Sequence, residues 1–275
     1  MAIIGVGLIG GSIGLGLRRR KLAKRVVGVG RRAETMELAE KVGAVDLGTL
    51  DLAEGVAEAD LIVVATPIDQ IVPHVLAAAK VCPEGCLVTD AGSTKVKIVQ
   101  QLEGNLPRGV RFVGSHPLAG SEKSGAGEAN GDLFEGRAVV VTPTQNTKDE
   151  DFDSLVDFWE ALGGKVFEMS PEGHDRAVAT TSHVPHLLAS ALAAALPEEY
   201  YPLAGGGLLD TTRIAAGAPD LWRQILLSNR QNLLLALGPV EHALAALRSA
   251  IVNKDGDALE YLLSLGKQTR DALGS

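Results

Sequence analysis

Ala2-Ile3-Ile4-Gly5-Val6-Gly7-Leu8-Ile9-Gly10-Gly11-Ser12 is the stretch from which the fold is read. Three apolar residues run into Gly-x-Gly-x-x-Gly, and helical sequence follows to about Arg20. The spacing has a steric reason: Gly5 permits a tight turn, Gly7 lets a pyrophosphate approach the backbone, and Gly10 allows a helix to pack closely on a strand. The next apolar segment, Val26-Val27-Gly28-Val29, completes a βαβ unit of about thirty residues, which is the context the motif requires. Gly5, Gly7, Leu8, Ile9 and Gly10 are therefore assigned to a dinucleotide.

Working outward, the second strand ends at Gly30-Arg31-Arg32, where an NAD site would usually carry Asp or Glu for the ribose 2'-hydroxyl. No acid stands there. Arg31 and Arg32 can instead pair with a 2'-phosphate, which favours NADP; if they are solvated loop arginines, NAD is equally acceptable. The alternation then continues with helices over about 33–42 and 52–58 and the strand Leu61-Ile62-Val63-Val64-Ala65. That strand stops at Thr66-Pro67, a turn assigned to the cofactor, before a helix over 68–80. A strand over 86–89 leads through Asp90-Ala91-Gly92-Ser93-Thr94-Lys95 into a helix, with Ser93 or Thr94 expected to cap it. An apolar strand from Val110 to Gly114 gives way to a loop that begins Ser115-His116-Pro117. A strand over 138–142, a helix over 149–162 and a strand over 165–169 follow. Uninterrupted apolar strands imply burial on both faces, so the expected class is α/β: a Rossmann-type, mostly parallel sheet with helices on both sides.

From Ser170 the strand signals vanish and Ala/Leu-rich helical periodicity takes over. Ser170-Pro171 reads as a cap followed by proline at the first helical position. Helices are expected over about 173–196, 219–237, 239–252 and 255–273, with Gly205-Gly206-Gly207 in a loop. The division is thus a nucleotide-binding domain, 1–169, and an all-α domain, 170–275, leucine-rich enough to bury its surface against a second copy. Three polar features interrupt it. Ser182-His183-Val184-Pro185-His186 places two histidines three apart; a metal would need further ligands, with His174 or Asp175 the nearby candidates, so no metal is expected. Asp210-Thr211-Thr212-Arg213 sets a guanidinium at a loop-to-helix turn, either paired with Asp210 or open to a carboxylate. Trp222 is read as packing.

Composition excludes other classes. A formal net charge of -8 argues against a nucleic-acid partner. The basic cluster Arg18-Arg19-Arg20-Lys21 reads as cations at the carboxyl end of the first helix. Cys82 and Cys86 read as small buried hydrophobes in a reducing compartment. No run approaches membrane-spanning length, 187–196 coming closest, and no leader pattern opens the chain, so a cytoplasmic protein is expected. The first strand starts almost at Met1, so a short upstream extension is expected; the last helix ends near Ser275, leaving no room for an appended regulatory domain.

Four separated segments together resemble one family: Gly5 to Ser12, Asp90 to Lys95, His116-Pro117-Leu118-Ala119-Gly120-Ser121-Glu122-Lys123-Ser124-Gly125, and Ser182 to His186 with Asp210 to Ala215. They resemble the prephenate and arogenate dehydrogenases of tyrosine biosynthesis, along nearly the whole chain. Leu118 and Ser121 stand where the family commonly has Met and Thr. The resemblance implies oxidative decarboxylation of a cyclohexadienol with transfer of hydride to nicotinamide. It implies His116 as the base for the hydroxyl proton and Ser93 as its catalytic partner at the hydroxyl. It places His183, His186, Ser121 and Glu122 in the substrate pocket, with Arg213 as the carboxylate anchor. A substrate with two carboxylates calls for a second cation, whose identity is open between Lys123 and a partner-subunit residue. A neutral imidazole suits the task, since general-base assistance is worth roughly 10²- to 10⁴-fold. His186 favours prephenate over arogenate, whose ammonium would prefer an acid. Arogenate or dual-specificity dehydrogenase is the alternative; more distant are a hydroxyacid or imine reductase and a dinucleotide-sensing module without chemistry.

Overall fold

The computed structural model describes residues 1–107, 109–120 and 125–274. Its first half alternates β1 (Ala2–Ile4), α1 (Leu8–Arg19), β2 (Val27–Val29), α2 (Ala33–Lys41), β3 (Leu47–Thr49), α3 (Leu52–Val56), β4 (Leu61–Val64), α4 (Ile68–Ala79), β5 (Leu87–Asp90), α5 (Val96–Leu102) and β6 (Arg111–Phe112). These strands form one six-stranded sheet in the order β3-β2-β1-β4-β5-β6, every neighbour parallel. Chain order reverses between β1 and β4, the position at which doubly wound sheets open a ligand crevice beyond the strand ends. Two apolar clusters fill the two faces. Ile3, Ile13, Leu17 and Trp159 belong to one, and Ile4, Ile62, Ile71 and Leu102 to the other.

In this first half three findings depart from the expectations. The short β3 was not anticipated. The apolar run at 110–114 divides: Val113 still donates to the Val88 carbonyl at 3.1 Å, and the chain then enters a second, three-stranded sheet. That sheet comprises β7 (Gly114–Pro117), β8 (Ala138–Thr142) and, after α6 (Asp149–Ala161), β9 (Lys165–Glu168). β7 and β8 are antiparallel, β8 and β9 parallel. His116 accordingly stands inside a strand, opposite Val140, and not in the loop expected of it. Ladder hydrogen bonds fix its backbone, which a loop would leave free.

The helical half is α7 (Pro171–Val178), a π turn (Ala179–His183), α8 (Val184–Ala194), α9 (Gly206–Thr212), a 3₁₀ turn (Arg213–Ala216), α10 (Pro219–Ser228), α11 (Arg230–Val252) and α12 (Gly256–Ala272). Gly206 and Gly207 open a helix instead of lying in a loop, and Arg213 follows that helix instead of preceding one. Pro239 does not divide the long helix: it removes one ladder bond where Leu235 is open to solvent, and the helix runs through. The break falls at Asn229, whose side chain donates to the Asp175 carbonyl at 2.6 Å. The uninterrupted α11 is long and apolar enough to cross a membrane, contrary to the reading that no run approaches that length. Its Leu234, Leu235, Leu244, Ile251 and Val252 are exposed in the single chain.

Candidate active site

The glycine turn comes first. Gly5 holds φ +92°, a conformation that L side chains rarely adopt, and a Cβ on Gly10 would lie 2.2 Å from the Gly5 carbonyl. Gly7 meets nothing within 4 Å and caps α1 without a side-chain hydrogen bond, so open space adjoins uncapped helix N–H groups. These residues fit a dinucleotide pyrophosphate. Thr66 abuts Gly5, and its hydroxyl is 3.2 Å from Nδ1 of His74 on α4. Burial lowers His74 basicity, a hydrogen bond with the Gln70 backbone opposes this, and the Arg31 charge adds to the lowering. Arg31 and Arg32 are exposed beyond β2. Arg18, Arg19 and Arg20 are engaged in ion pairs: Arg18 with Asp46, Arg19 with Asp132 at 3.1 Å, and Arg20 with Asp132 and Glu135 at 3.1 and 2.9 Å.

Beneath the second sheet lies a buried charge pair that the sequence did not disclose. Lys95 and Asp90 are fully buried and joined Nζ to Oδ2. Lys95 also donates to the Ser115 carbonyl at 2.7 Å, and the Ser115 hydroxyl donates to the Asp90 carbonyl at 2.6 Å. Burial pushes the Lys95 ammonium down and the Asp90 carboxylate opposes that shift. This network ties β5 to β7 one residue before His116.

His116 then meets the helical half. Its Nδ1 is 2.9 Å from Nε2 of His174, whose Nδ1 is 2.8 Å from the Asp175 carboxylate. Asp175 also accepts from the Lys95 and Val96 backbone N–H groups at 2.7 and 3.1 Å. The cap of α5 is thus a carboxylate from eighty residues downstream, not Ser93 or Thr94 as expected. The Thr94 hydroxyl instead accepts from Ser228 at 3.0 Å, leaving Ser93, half-buried, on the turn where the two halves meet. Asn229 lies 3.3 Å from Nδ1 of His183. Trp222 continues the chain of contacts, edge-on to His183 at 6.4 Å and stacked on His186 at 3.5 Å. A Cβ on Gly217 would strike Trp222 at 2.4 Å, so the stack depends on glycine there. The 3₁₀ turn bearing Arg213 packs on α8, which bears His186. Ser121, Glu122 and Lys123 lie outside the described residues.

Electrostatics favours neutral imidazoles throughout. His116 keeps part of its surface open, yet burial, then His174, Lys95 and His183, hold its pKa well below 6.5. Burial takes His183 down to about 4, and lowers His174 and His186 also. A partly open, unprotonated imidazole can accept a proton at neutral pH.

Residues 13–168 match the family model for the prephenate dehydrogenase nucleotide-binding domain, and residues 170–265 the model for the prephenate dehydrogenase dimerization domain. The chain belongs to the prephenate dehydrogenase family. It is 36% identical over 279 residues to prephenate dehydrogenase of Bacillus subtilis, covering 98% of this chain and 75% of that protein. It is 34% identical to cyclohexadienyl dehydrogenase of Zymomonas mobilis, over 99% and 94% of the two chains. The crystal structure of prephenate dehydrogenase from Aquifex aeolicus with hydroxyphenyl propionate and NAD+ superposes with a TM-score of 0.90, at 34% identity, over 99% and 97% of the chains. The enzyme is an NAD(P)-dependent oxidoreductase, as the His116 segment and the glycine motif together implied.

Of the anticipated residues, Gly5, Gly10 and Thr66 come together at one turn with Gly7 capping α1 beyond it, and His116, His183 and His186 share one network of contacts. In the sequence His174 and Asp175 stand out only as candidate metal ligands, and Asn229 does not stand out. The adjacent His-Asp pair early in a helix was the available signal; its partner lies 58 residues away in sequence, beyond local pattern.

Proposed function

We propose that this enzyme oxidises prephenate to 4-hydroxyphenylpyruvate with loss of carbon dioxide. The observation that carries the reading is His116, neutral and partly open, fixed in β7 against the helical half and close to the β5 end of the nucleotide sheet. NAD(P), when bound along Gly5 to Gly10 with Thr66 and Pro67, supplies the hydride acceptor. His116 takes the proton of the ring hydroxyl; Ser93, on the turn between β5 and α5, orients that hydroxyl. Trp222 and His186 present a flat wall to the ring, and Arg213 anchors a carboxylate. Loss of carbon dioxide then gives an aromatic ring, so the residues have only to hold ring, base and acceptor in line.

Around residue 169 the chain divides into a cofactor-holding and a substrate-holding domain. Arg31 and Arg32, with no carboxylate at Gly30, support NADP over NAD. The exposed leucines of α11 support a homodimer through the helical domain, in keeping with the dimerization model it matches. Free Cys82 and Cys86 suit a reducing, cytoplasmic setting. Arogenate is the second reading, favoured by the cyclohexadienyl dehydrogenase relative. The test mixes the purified enzyme with prephenate or arogenate and with each nucleotide, following the absorbance of reduced nicotinamide. Rapid turnover of prephenate is expected, with the lower KM for NADP; no reduction with either substrate defeats the reading.

A further inference from the structure

Resting on His116 as the base, we propose that His174 and Asp175 are a positioning pair that keeps a proton on Nδ1 of His116, leaving Nε2 as the atom that accepts the substrate's proton.

The assignment follows from donor and acceptor chemistry along one line of contacts. A carboxylate can only accept, so the 2.8 Å contact to Asp175 places the His174 hydrogen on Nδ1. Neutral His174 then offers a lone pair at Nε2, and the 2.9 Å contact requires His116 to donate from Nδ1. The opposite tautomer of His116 would set two lone pairs face to face. A doubly protonated His174 would reverse the line, but it would be an imidazolium at a fully buried position. The groups facing this line are Asp175 on α7 itself, Lys95 and Asp90 from the β5–α5 turn, and His183 from the π turn. The Lys95 ammonium is already held by Asp90 and the Ser115 carbonyl.

Asp175 cannot swing out of this line. Its two carboxylate oxygens accept from the first N–H groups of α5, and its own carbonyl accepts from Asn229 at 2.6 Å. The acceptor that orders the base therefore belongs to the helical half, while the amides that hold that acceptor belong to the sheet half. The base is correctly protonated only while the two halves are docked. In the reaction the substrate O–H bond breaks, a bond forms between that hydrogen and Nε2, and the hydrogen on Nδ1 stays in place. The imidazolium so formed is stabilised by its bond to His174, in the way a buried carboxylate orients the histidine of a serine-protease triad.

The test is nitrogen NMR of enzyme labelled in its six histidines, with His116→Asn identifying the resonances of residue 116. The expected wild-type spectrum at neutral pH shows His116 protonated at Nδ1 and bare at Nε2. His174→Phe, which keeps a ring and removes the acceptor, is expected to move His116 towards the Nε2-protonated form and to lower kcat by about 10²- to 10⁴-fold. KM for prephenate should stay within about threefold, since ground-state binding is untouched. Nucleotide affinity by fluorescence titration should be unchanged. A wild-type His116 protonated at Nε2 overturns the proposal, and needs no variant to fold. Wild-type kcat in His174→Phe overturns it as well, while leaving His116 as the base if His116→Asn is inactive. An enzyme that turns over no prephenate defeats the functional reading, and the tautomer is still read from the spectrum.

Discussion

In the sheet half, Ile3, Ile13, Ile62, Ile71 and Leu155 have no exposed surface at all, and two continuous clusters account for both faces. In the helical half, α11 buries Leu233 and Ala250, while α12 buries none of its residues. Leu203 and Leu273 are each 78% exposed there. Both halves are rich in apolar residues, so composition does not separate them. The sheet half encloses its own core, because a two-sided sheet between helix layers needs no other partner. The helices leave an apolar face exposed in the single chain, and in the proposed homodimer their stability would be linked to association. The proposed site lies where the two meet, with His116 on one half and its partner His174 on the other.

The comparison can be broken or sharpened by experiment. The largest effect is expected at the seam: His116→Asn should lower kcat by roughly 10²- to 10⁴-fold with nucleotide affinity intact, read by steady-state kinetics beside fluorescence titration. Within the sheet half, Lys95→Met strands the buried Asp90 carboxylate and should cost about 3–5 kcal/mol, read as a lower urea midpoint. An unshifted midpoint would mean that this half does not rest on its buried pair.

Acid should act next, through the buried histidines. His183 is at about 4 in the fold against 6.5 in the open chain, so the unfolded state binds the extra proton. Its contribution is whole above pH 6.5, falls as pH drops from 6.5 towards 4, and is gone below; each unit is worth about 1.4 kcal/mol. Urea midpoints at neutral and mildly acidic pH measure it, and His183→Gln should flatten that dependence. The acid limb of kcat/KM should likewise lie well below pH 6.5, because His116 stays unprotonated down to there.

The smallest effects separate the two surfaces. Leu235→Glu with Ile251→Glu, on the exposed face of α11, should shift sedimentation from the proposed dimer to monomer. Leu50→Glu, on a leucine 55% exposed beside β3, should change stability by no more than about 0.5 kcal/mol and leave the oligomer unchanged. Equal behaviour at the two sites would erase the distinction between a closed half and an open one.

Much of this was legible beforehand, and the boundary between legible and hidden is physical. The glycine turn, the apolar strands and the helix periods are local: each is set by steric demands within about ten residues, so Gly5, Gly10, α1 and β4 could be read from order alone. The family could be read because each of the four segments that carry the resemblance is itself short and contiguous. Other features depend on pairings between residues far apart in the chain, and no local period encodes those. Asp175 caps a helix that begins some eighty residues earlier; buried Lys95 reaches the Ser115 carbonyl of β7, twenty residues on; Val113 marks where one sheet hands the chain to another. Amino-acid order determined that this chain winds a nucleotide sheet and offers an imidazole. Only the packing of the two halves decided which nitrogen of that imidazole meets His174, because a side chain's hydrogen-bond partner is whichever group the fold brings opposite.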